Sequence, residues 1–461
     1  MTHRFLPNDT IEIERYLVKE IGVKSIEELF SDIPQAIRLD RKLDLPESLS
    51  ELELMRRVKG ILQKNVLFQH SNSFLGGGVW YNYIPAIVDA IANRSEFLTS
   101  YTPYQPEINQ GLLQALFEYQ SMICELVDMD VANCSMYDWS SALGEAVRMA
   151  VRITHRSKVY VPHFIHPNRY MTLKAYSEPA GIKVERIDQS LENGQIDMEM
   201  LEDVLSSKTA AVYVENPSYL GFLMENLEDL SELVHGRGGL LIVGVNPISL
   251  GLIKPPGEYD ADIVIGEGQP LGNPVNLGGP LLGILACRGD SRYIRQLPGR
   301  IVGLTTTVNG NERGYTLALQ TREQHIRRER ATSNICSNEA LLAIRSAIYL
   351  SLLGSQGLKQ LGNKLSKISN YAQKRLSEIE GLTVPIFNAV HFNEFTLKFE
   401  DLALHSRKLN KFLKKSNIIG GKSLRDEFPE LGDALLFSIN DFHRFSDIDN
   451  LVENMRQFLE V

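Results

Sequence analysis

Two short apolar runs end in polar side chains that could take part in chemistry. The first run, Leu240–Val245, is followed by Asn246, and the second, residues 262–265, is followed by Gly-Glu-Gly-Gln-Pro at 266–270. Continuous apolar runs of this length, bounded by turn residues, are typical of strands buried on both faces. The groups at their ends are amides and one carboxyl, and neither end carries a lysine or an aspartate.

A primary amine is absent from a much longer stretch around these strands. After Lys254 the next lysine is Lys359, and arginine cannot replace it because the guanidinium stays protonated and forms no imine. In pyridoxal-phosphate enzymes of fold type I, the aspartate-aminotransferase fold, the first such strand ends in an aspartate that pairs with the pyridinium nitrogen, and the loop after the second carries the Schiff-base lysine. The chain is therefore either not a pyridoxal enzyme or the half of one that lacks the cofactor lysine.

A second group of reactive side chains lies in the segment YTPYQPE. They are two phenols, an amide and a carboxylate within seven residues: Tyr101, Tyr104, Gln105 and Glu107. Pro103 and Pro106 stiffen the backbone just before an amphipathic helix. Such a set suits the rim of a pocket, although packing in an interface would also explain it.

Five further positions match places where fold type I proteins hold their cofactor. Ser140 and Ser141 open a helix, where the phosphate is cradled, although their hydroxyls would also serve as ordinary helix caps. His163 and His166 follow the next strand, where a ring often stacks on the cofactor, and a hydrogen-bonded structural histidine is the alternative. Asn216 ends a later strand in an Asn-Pro turn. Together with the asparagine at the first strand end, these are candidates for a vestigial cofactor site, since the lysine is missing.

These side chains must be positioned by alternating strands and helices. Between residues 131 and 245 the pattern predicts a doubly wound α/β layout. We expect three parts: a helical N-terminal arm at 1–65, a large α/β domain at 66–330 and a small C-terminal α/β domain at 331–461. The arm has too little apolar surface to fold alone and is expected to wrap around another surface.

The composition of the chain argues against several classes of protein. The 461 residues are 43% hydrophobic and 23% charged with a net charge of −9, so no nucleic-acid partner is expected, and the one basic cluster, 322–330, is expected to be a solvated or interface face. The four cysteines lack any framework or metal-ligand spacing, which fits reduced thiols in the cytoplasm and no metal site. The polar N-terminus is unlike a signal peptide, and the longest apolar stretch, 341–353, is too short for a membrane span.

Six motifs give the chain a family resemblance: FLGGG, YTPYQPEINQG, GEGQPLG, LPGRIVG, LQTREQHIRRERATSNIC and FNEF. In this order, from about residue 70 to 400, they resemble the glycine cleavage system P-protein family, glycine dehydrogenase (decarboxylating). That family exists as one chain of roughly double this length or as two subunits, and this chain resembles the N-terminal half, subunit 1 (alpha). The family usually has lysine at Arg330 and aspartate at Asn246, and both departures move the chain further from cofactor chemistry.

The resemblance implies an aminomethyl-transferring glycine dehydrogenase, EC 1.4.4.2. Pyridoxal phosphate would be held by a partner, subunit 2 (beta), where glycine loses its carboxylate as CO2 and its aminomethyl group passes to the lipoyl arm of H-protein. This chain would lend loops to that site across the subunit interface, with the YTPYQPE side chains as the first candidates. A heterotetramer is expected, because fold type I sites usually lie between two chains.

Two other classes of function stay open at this point. A self-sufficient pyridoxal enzyme, desulfurase-like or transferase-like, would share the fold, but the missing lysine argues against it. A non-enzymatic scaffold or regulatory pseudoenzyme would need no lysine, and only activity measured with the partner separates it from a catalytic subunit.

Overall fold

The structure, a computed structural model, describes residues 5, 10–39, 41–65, 67–69, 72–98, 102–400 and 405–460. The chain divides into two units, Met1–Leu67 and Phe68–Val461. The further division expected within the second unit, near residue 330, stays a prediction.

The first unit contains two helices joined by turns and extended chain. They are α1 (Ile11–Ile21) and α2 (Glu51–Leu62). α2 begins with a capping box, in which Ser50 and Glu53 exchange hydrogen bonds between side chain and backbone. None of the described residues 10–65 is buried. Helices this short gain most of their stability from packing, so we expect the exposed apolar side chains of the arm to pack on another surface. The wrapping of the arm around such a surface stays our prediction.

Seven strands form the main sheet of the second unit. They are β1 (Val131–Ala132), β2 (Lys158–Pro162), β3 (Lys183–Ile187), β4 (Thr209–Glu215), β5 (Leu240–Val245), β6 (Ile263–Glu267) and β7 (Gly283–Cys287). Their order across the sheet is β1-β7-β6-β5-β4-β2-β3. β2 to β6 are parallel, whereas β7 pairs antiparallel with β6 and with β1. The carboxyl ends of β4, β5 and β6 therefore lie side by side at one edge.

Helices cover both faces of this sheet. The helices of this part of the chain are α3 (Ala86–Ala92), α4 (Ser95–Leu98), α5 (Gln110–Val127), α6 (Trp139–Thr154), α7 (Pro167–Ser177), α8 (Met198–Val204), α9 (Leu227–Gly236), α10 (Ser291–Ile294) and α11 (Gln324–Arg327). Of these, α4 and α11 contain no buried residue. In β5, Leu241 and Val243 enter the core shared with α5 and α9, whereas Leu240 and Ile242 enter the core shared with α6 and α7. Alternate side chains of one strand thus serve two cores, which explains why this strand is apolar throughout.

The rest of the second unit adds a hairpin, a long helix and a second sheet. They comprise β8 (Ile301–Thr306), β9 (Arg313–Ala318), α12 (Ala340–Ser377), β10 (Leu382–Thr383), β11 (Glu394–Phe399), α13 (His405–Lys415), β12 (Lys422–Ser423), β13 (Ala434–Ser438) and α14 (Phe445–Leu459). β8 pairs with β9, and the second sheet has the antiparallel order β10-β11-β13-β12. α12 is interrupted at Gly354, whose φ of 58° lies outside the helical region.

By length and composition, α12 is the one helix in the described part of the chain that could cross a bilayer. However, 44% of its most apolar window is buried inside the protein, and core helices of soluble proteins meet the same two criteria. α12 packs against α3 and α5, and its Arg345 forms an ion pair with Asp89 at 2.6 Å. These contacts are typical of a core helix.

Two strands differ from the prediction made for them. β6 was expected at 262–265, but it includes Gly266 and Glu267, which we had assigned to a loop. Glycine suits that position because a Cβ there would lie 2.5 Å from the Val245 carbonyl oxygen. The alternating pattern that begins at residue 131 also predicts a strand through residue 136, but this strand ends at Ala132. Beyond it the chain leaves regular pairing, and the Cys134 N–H bonds the Arg300 carbonyl at 2.8 Å.

Candidate functional site

The carboxyl ends of β4 and β5, the start of α6 and the start of β11 enclose a small cavity. Its volume is about 10 Å³, which is room for about one water molecule. The lining residues are Gly78, Trp80, Trp139, Arg169, Pro217, Ser218, Tyr219, Asn246, Asn393 and Glu394. Fold type I proteins hold their cofactor at this edge, so the contents of the cavity decide whether this chain can do the same.

Four buried side chains fill this edge of the sheet with a closed network. Arg169 donates to Glu215 at 2.8 Å, and its guanidinium carbon lies 3.5 Å from the centre of the Trp139 ring. Tyr213 donates its hydroxyl proton to Glu215 at 2.8 Å and accepts the Trp139 indole N–H at 2.9 Å. Burial raises the pKa of Tyr213 well above its ordinary value, so it stays a donor. The network satisfies its members internally and occupies the space beside the strand ends.

The N-terminus of α6 is already paired with carboxyl groups of the chain. Asp138 accepts the Ser141 N–H at 2.7 Å, and Glu267 lies 3.3 Å from the Trp139 N–H that points to it. The Ser141 hydroxyl donates to the Asp138 carbonyl at 3.0 Å, while Ser140 is half-buried on the same turn. A phosphate at this helix end would meet acidic groups instead of free amides. The capping interpretation therefore describes Ser141, and the phosphate interpretation does not.

Glu267 is the acidic side chain nearest to where a cofactor lysine was expected. It is 1% exposed, and Oε1 accepts the N–H groups of Gln269 at 3.0 Å and Leu282 at 2.9 Å. Burial raises the pKa of Glu267 to about 8, against the effect of these backbone donors. The end of β6 thus holds a buried carboxyl that is mostly protonated near neutral pH.

The two asparagines of the vestigial set stabilise turns. The Asn246 amide oxygen accepts the Ile248 N–H at 3.1 Å, and its side chain lines the cavity. The Asn216 amide oxygen accepts the Met224 N–H at 3.1 Å, and Asn216 is not among the residues that line the cavity. Asn246 therefore belongs to this site, whereas Asn216 only shapes the chain beside it.

The two histidines after β2 occupy different environments. His163 lies 2.5 Å from Glu430, away from the strand-end cavity, so it is a structural histidine. His166 packs edge-on against Tyr219 with ring centroids 4.7 Å apart. Burial, together with the charge of Arg169, lowers the pKa of His166 to about 3, so its ring is neutral. Of the two, His166 is the one beside the cavity, although its sequence position gave no reason to prefer it.

Two of the family motifs meet at the rim of this cavity. The Gly77 N–H of FLGGG donates to Glu394 of FNEF at 2.7 Å. A Cβ on Gly76 would lie 2.2 Å from the same carboxylate, so glycine permits this close approach. Burial raises the pKa of Glu394 to about 7. Both motifs therefore help to close the cavity.

Pyridoxal phosphate does not fit the strand-end cavity of this chain. The space is about 10 Å³, whereas ligand pockets are usually on the order of 300 Å³ or more. No lysine is among the described residues that line it, and the guanidinium of Arg169 covers the Trp139 ring. Sequence reasoning missed this filling because Arg169 and Glu215 belong to none of the motifs; the acid directly before the Asn-Pro turn was the one available signal.

The YTPYQPE side chains lie in a different place and are exposed. Tyr101 lies outside the described residues. Tyr104 is 50% exposed, and Gln105 and Glu107 are exposed on the same turn. The turn is held to β9 by Gln110, which bonds the Tyr315 N–H at 2.8 Å and the Tyr315 carbonyl at 2.9 Å. The structure therefore presents three of the four predicted side chains at the surface, on a braced backbone.

Arg300 joins this turn to two other family motifs. Its Nη2 donates to the Tyr104 hydroxyl at 2.8 Å and to the Cys336 carbonyl at 2.5 Å. His325, from LQTREQHIRR, packs edge-on against Tyr104 with centroids 6.3 Å apart. Two segments that are distant in sequence, at Arg300 and His325, thus converge on one tyrosine, which the sequence alone did not predict.

Comparison with known proteins gives a consistent family assignment. The profile of the glycine cleavage system P-protein family matches residues 3–455. A probable glycine dehydrogenase (decarboxylating) subunit 1 of Staphylothermus marinus is 46% identical over 465 residues, which covers 99% of this chain and 98% of the relative. A protein of the same name from Pyrococcus furiosus is 44% identical, with 100% of both chains covered.

Solved structures confirm the expected fold. A crystal structure of glycine decarboxylase (P-protein) of the glycine cleavage system, in inhibitor-bound form, has a TM-score of 0.86 and 38% identity, and covers 99% of this chain and 100% of that one. A sphingosine-1-phosphate lyase of Burkholderia pseudomallei has a TM-score of 0.65 at 14% identity, with 93% and 94% covered, and a NifS-like protein has 0.61 at 13%, with 84% and 99% covered. These two show the fold alone, which is the α/β fold type I predicted from the sequence. With a family profile and relatives that match along essentially the whole chain, this protein belongs to the glycine cleavage system P-protein family.

Proposed function

We propose that this chain is subunit 1 of a glycine dehydrogenase (decarboxylating), active only together with a lysine-bearing subunit 2. The relatives that match along its whole length are named as subunit 1 of that enzyme, and the solved relative is a glycine decarboxylase. In this proposal the complex releases CO2 from glycine and passes the aminomethyl group to the lipoyl arm of H-protein. It works in the cytoplasm as a heterotetramer.

The filled strand-end cavity is the observation that supports assigning cofactor binding to the partner subunit. Arg169 and Trp139 occupy space beside the strand ends, and no lysine lines what is left. Any pyridoxal phosphate in the complex must therefore be bound by the partner. The same observation argues against a self-sufficient pyridoxal enzyme built from this chain alone.

The contribution of this chain is a set of side chains presented to the partner's site. Tyr104 offers a hydroxyl, Gln105 an amide and Glu107 a carboxylate, all exposed on one braced turn. Tyr101 belongs to the same proposal by its place in the sequence. These groups would orient glycine or the lipoyl arm through hydrogen bonds and keep water out once the subunits meet. A stiff backbone suits this role because positioning is lost when the supporting chain moves.

The test is reconstitution with the lysine-bearing partner. Exchange of labelled bicarbonate into glycine is measured for the partner alone, for this chain alone and for the mixture with lipoylated H-protein. We expect exchange only in the mixture, and no pyridoxyl group on this chain after treatment with cofactor and borohydride. A pyridoxyl adduct on this chain in isolation would refute the proposal.

The same measurement decides the alternative of a scaffold. The closed network around Arg169 supports this alternative, because it leaves the strand-end cavity room for about one water molecule. If the partner alone exchanges bicarbonate as fast as the mixture, the chain is a scaffold and its exposed tyrosine turn has no catalytic part.

A further inference from the structure

We propose that Arg300 is a positioning residue that fixes the direction in which Tyr104 presents its hydroxyl proton to the partner's active site. This inference rests on the proposed function, since it assumes that Tyr104 reaches a site completed by the partner. Arg300 itself touches neither substrate nor cofactor in this proposal and acts only through Tyr104.

The first step is that Arg300 is held firmly. It directly precedes β8 and is 3% exposed. Its Nη2 bonds both the Tyr104 hydroxyl, at 2.8 Å, and the Cys336 carbonyl, at 2.5 Å. Its guanidinium carbon also lies 4.7 Å from the centre of the Tyr104 ring. One buried side chain thus fixes the ring by a cation–π contact and the oxygen by a hydrogen bond.

The second step concerns the proton on the hydroxyl. A guanidinium has donors and no acceptor, so the hydroxyl oxygen of Tyr104 must accept in this bond. Its own proton is left for another acceptor. Because Tyr104 is 50% exposed, that proton can be donated to a group outside this chain. Arg300 therefore makes Tyr104 an outward donor with a defined direction.

The third step is that stability alone explains Arg300 poorly. Its Nε and Nη1 are buried and find no hydrogen-bond partner among the described residues, and no described carboxylate forms an ion pair with it. Buried charged donors without partners destabilise a fold. An apolar side chain of similar volume would fill the same space at a lower cost in free energy. An apolar residue would lose two hydrogen bonds, to the Cys336 carbonyl and to the Tyr104 hydroxyl, and of these two acceptors only the hydroxyl belongs to an exposed polar side chain.

The residues around Tyr104 also restrict the orientation of its ring. His325 bounds the Tyr104 ring edge-on, and its Nδ1 lies 3.7 Å from Glu323. Gln110 fixes the backbone on the other end of the turn through Tyr315. The ring is therefore contacted by side chains from two other segments, at Arg300 and His325, while Gln110 holds the backbone of the turn.

A double-mutant cycle in the reconstituted complex tests the proposal. The variants are Arg300→Met, Arg300→Lys, Tyr104→Phe and the pair Arg300→Met with Tyr104→Phe, and kcat and KM for glycine are measured in bicarbonate exchange. We expect Arg300→Met to lower kcat roughly 10- to 100-fold, as misplaced catalytic groups do, with KM little changed. Lysine at 300 keeps a charged N–H donor and should restore part of the loss. In the Tyr104→Phe background, Arg300→Met should change kcat less than about two-fold.

Arg152→Met is the matched control. Arg152 is half-buried, whereas Arg300 is buried. Like Arg300, it bonds a backbone carbonyl through Nη2, at 3.0 Å, and has a buried Nη1 that finds no partner among the described residues, but it lies on α6 and contacts Gln296. It should not couple to Tyr104→Phe. Assembly and thermal unfolding are measured for every variant, and if Arg300→Met does not assemble, the cycle is run with Arg300→Lys.

The outcomes separate the two proposals. If the wild-type mixture shows no exchange, the proposed function fails. If the mixture is active but the fold losses of kcat from Arg300→Met and Tyr104→Phe multiply in the double variant, Arg300 acts independently of Tyr104 and the inference is overturned. The same holds if Arg300→Met lowers only assembly, or leaves kcat unchanged.

Discussion

The strand-end cavity and the Tyr104 turn contain similar side chains, but these side chains are bonded in different ways. In the cavity, Arg169 pairs with Glu215 at 2.8 Å, and the neighbouring aromatic groups bond each other. At the turn, Arg300 reaches only neutral oxygens, and the tyrosine it holds is 50% exposed. One cluster is satisfied internally, whereas the other leaves a donor for a second molecule.

This difference supports the proposal that the turn, and not the cavity, serves the partner's site. The side chains at the sheet edge bond one another, whereas those of the turn are exposed and lie more than 60 residues earlier in the chain than Arg169. Substitutions should therefore divide into two classes. Changes at the cavity should affect stability, and changes at the turn should affect turnover in the complex.

The largest effect is expected from Arg169→Met. This change leaves Glu215 buried without its cation, which we expect to lower the free energy of unfolding by about 3–5 kcal/mol. Urea denaturation followed by circular dichroism measures it. Adding Glu215→Gln should recover part of the loss, because the uncompensated charge is then removed.

Arg186→Met is the control for this prediction. Arg186 also lies over an aromatic ring, that of Tyr170 at 4.3 Å, but it is exposed. Its loss should cost at most about 1 kcal/mol. Equal losses for the two variants would show that the buried pair is no stronger than a surface contact, and the contrast between the two regions would fail.

The second prediction concerns the pH dependence of stability through Glu267. Burial raises the pKa of this carboxyl from its ordinary 4.5 to about 8. Between these pH values the folded chain holds a proton that the unfolded chain has lost, so the free energy of unfolding falls as the pH rises. This group alone contributes a slope of about 1.4 kcal/mol per pH unit in that window, and the fall ends near pH 8.

Glu267→Gln removes that contribution while keeping the Oε1 acceptor for Gln269 and Leu282. Urea unfolding at several pH values from 5 to 9 should show a shallower fall for the variant than for the wild type. Glu394, whose pKa burial raises to about 7, titrates in the same direction in both proteins and cancels in the comparison. Parallel curves would contradict a buried, protonated Glu267.

Local patterns predicted the sheet better than they predicted the sites. β5 was placed at its observed bounds because six apolar residues stand between glycines and an Asn-Pro turn. Glu267 was expected in a loop because its neighbours are glycines, but Gly266 allows the strand to pack closely against Val245 of β5, and Gly268 allows a close approach to Leu282. Spacing along the chain signals a turn well; it does not signal close packing between strands.

The contacts on which the two proposals rest could not be found by such reasoning. Arg169 and Glu215 are 46 residues apart, and Arg300 and Tyr104 are 196 apart. Neither pair has a spacing that a helix or a strand would repeat. The tyrosine turn itself could be found, because prolines and polar groups in seven residues are unusual, but the arginine that supports it could be found only from the fold.

The smallest effect is expected from Glu107→Gln. This carboxylate is exposed, so the change should move the free energy of unfolding of the chain alone by no more than about 0.5 kcal/mol. In the complex we expect turnover to fall roughly two- to ten-fold, because the negative charge is lost where the partner covers the turn. Glu118→Gln is the control, since Glu118 is exposed on α5 and bonds only Gln114, at 2.9 Å.

Measuring turnover at low and high ionic strength shows whether the partner encloses Glu107. Salt screens a carboxylate that stays in water in the complex, and the screening length is about 8 Å at 0.15 M ionic strength. In that case the difference in turnover between Glu107→Gln and the wild type should shrink when salt is added. A carboxylate enclosed by the partner is screened much less, and the difference should persist. Unchanged turnover at both low and high salt would remove Glu107 from the functional turn and leave Tyr104 to carry the assignment.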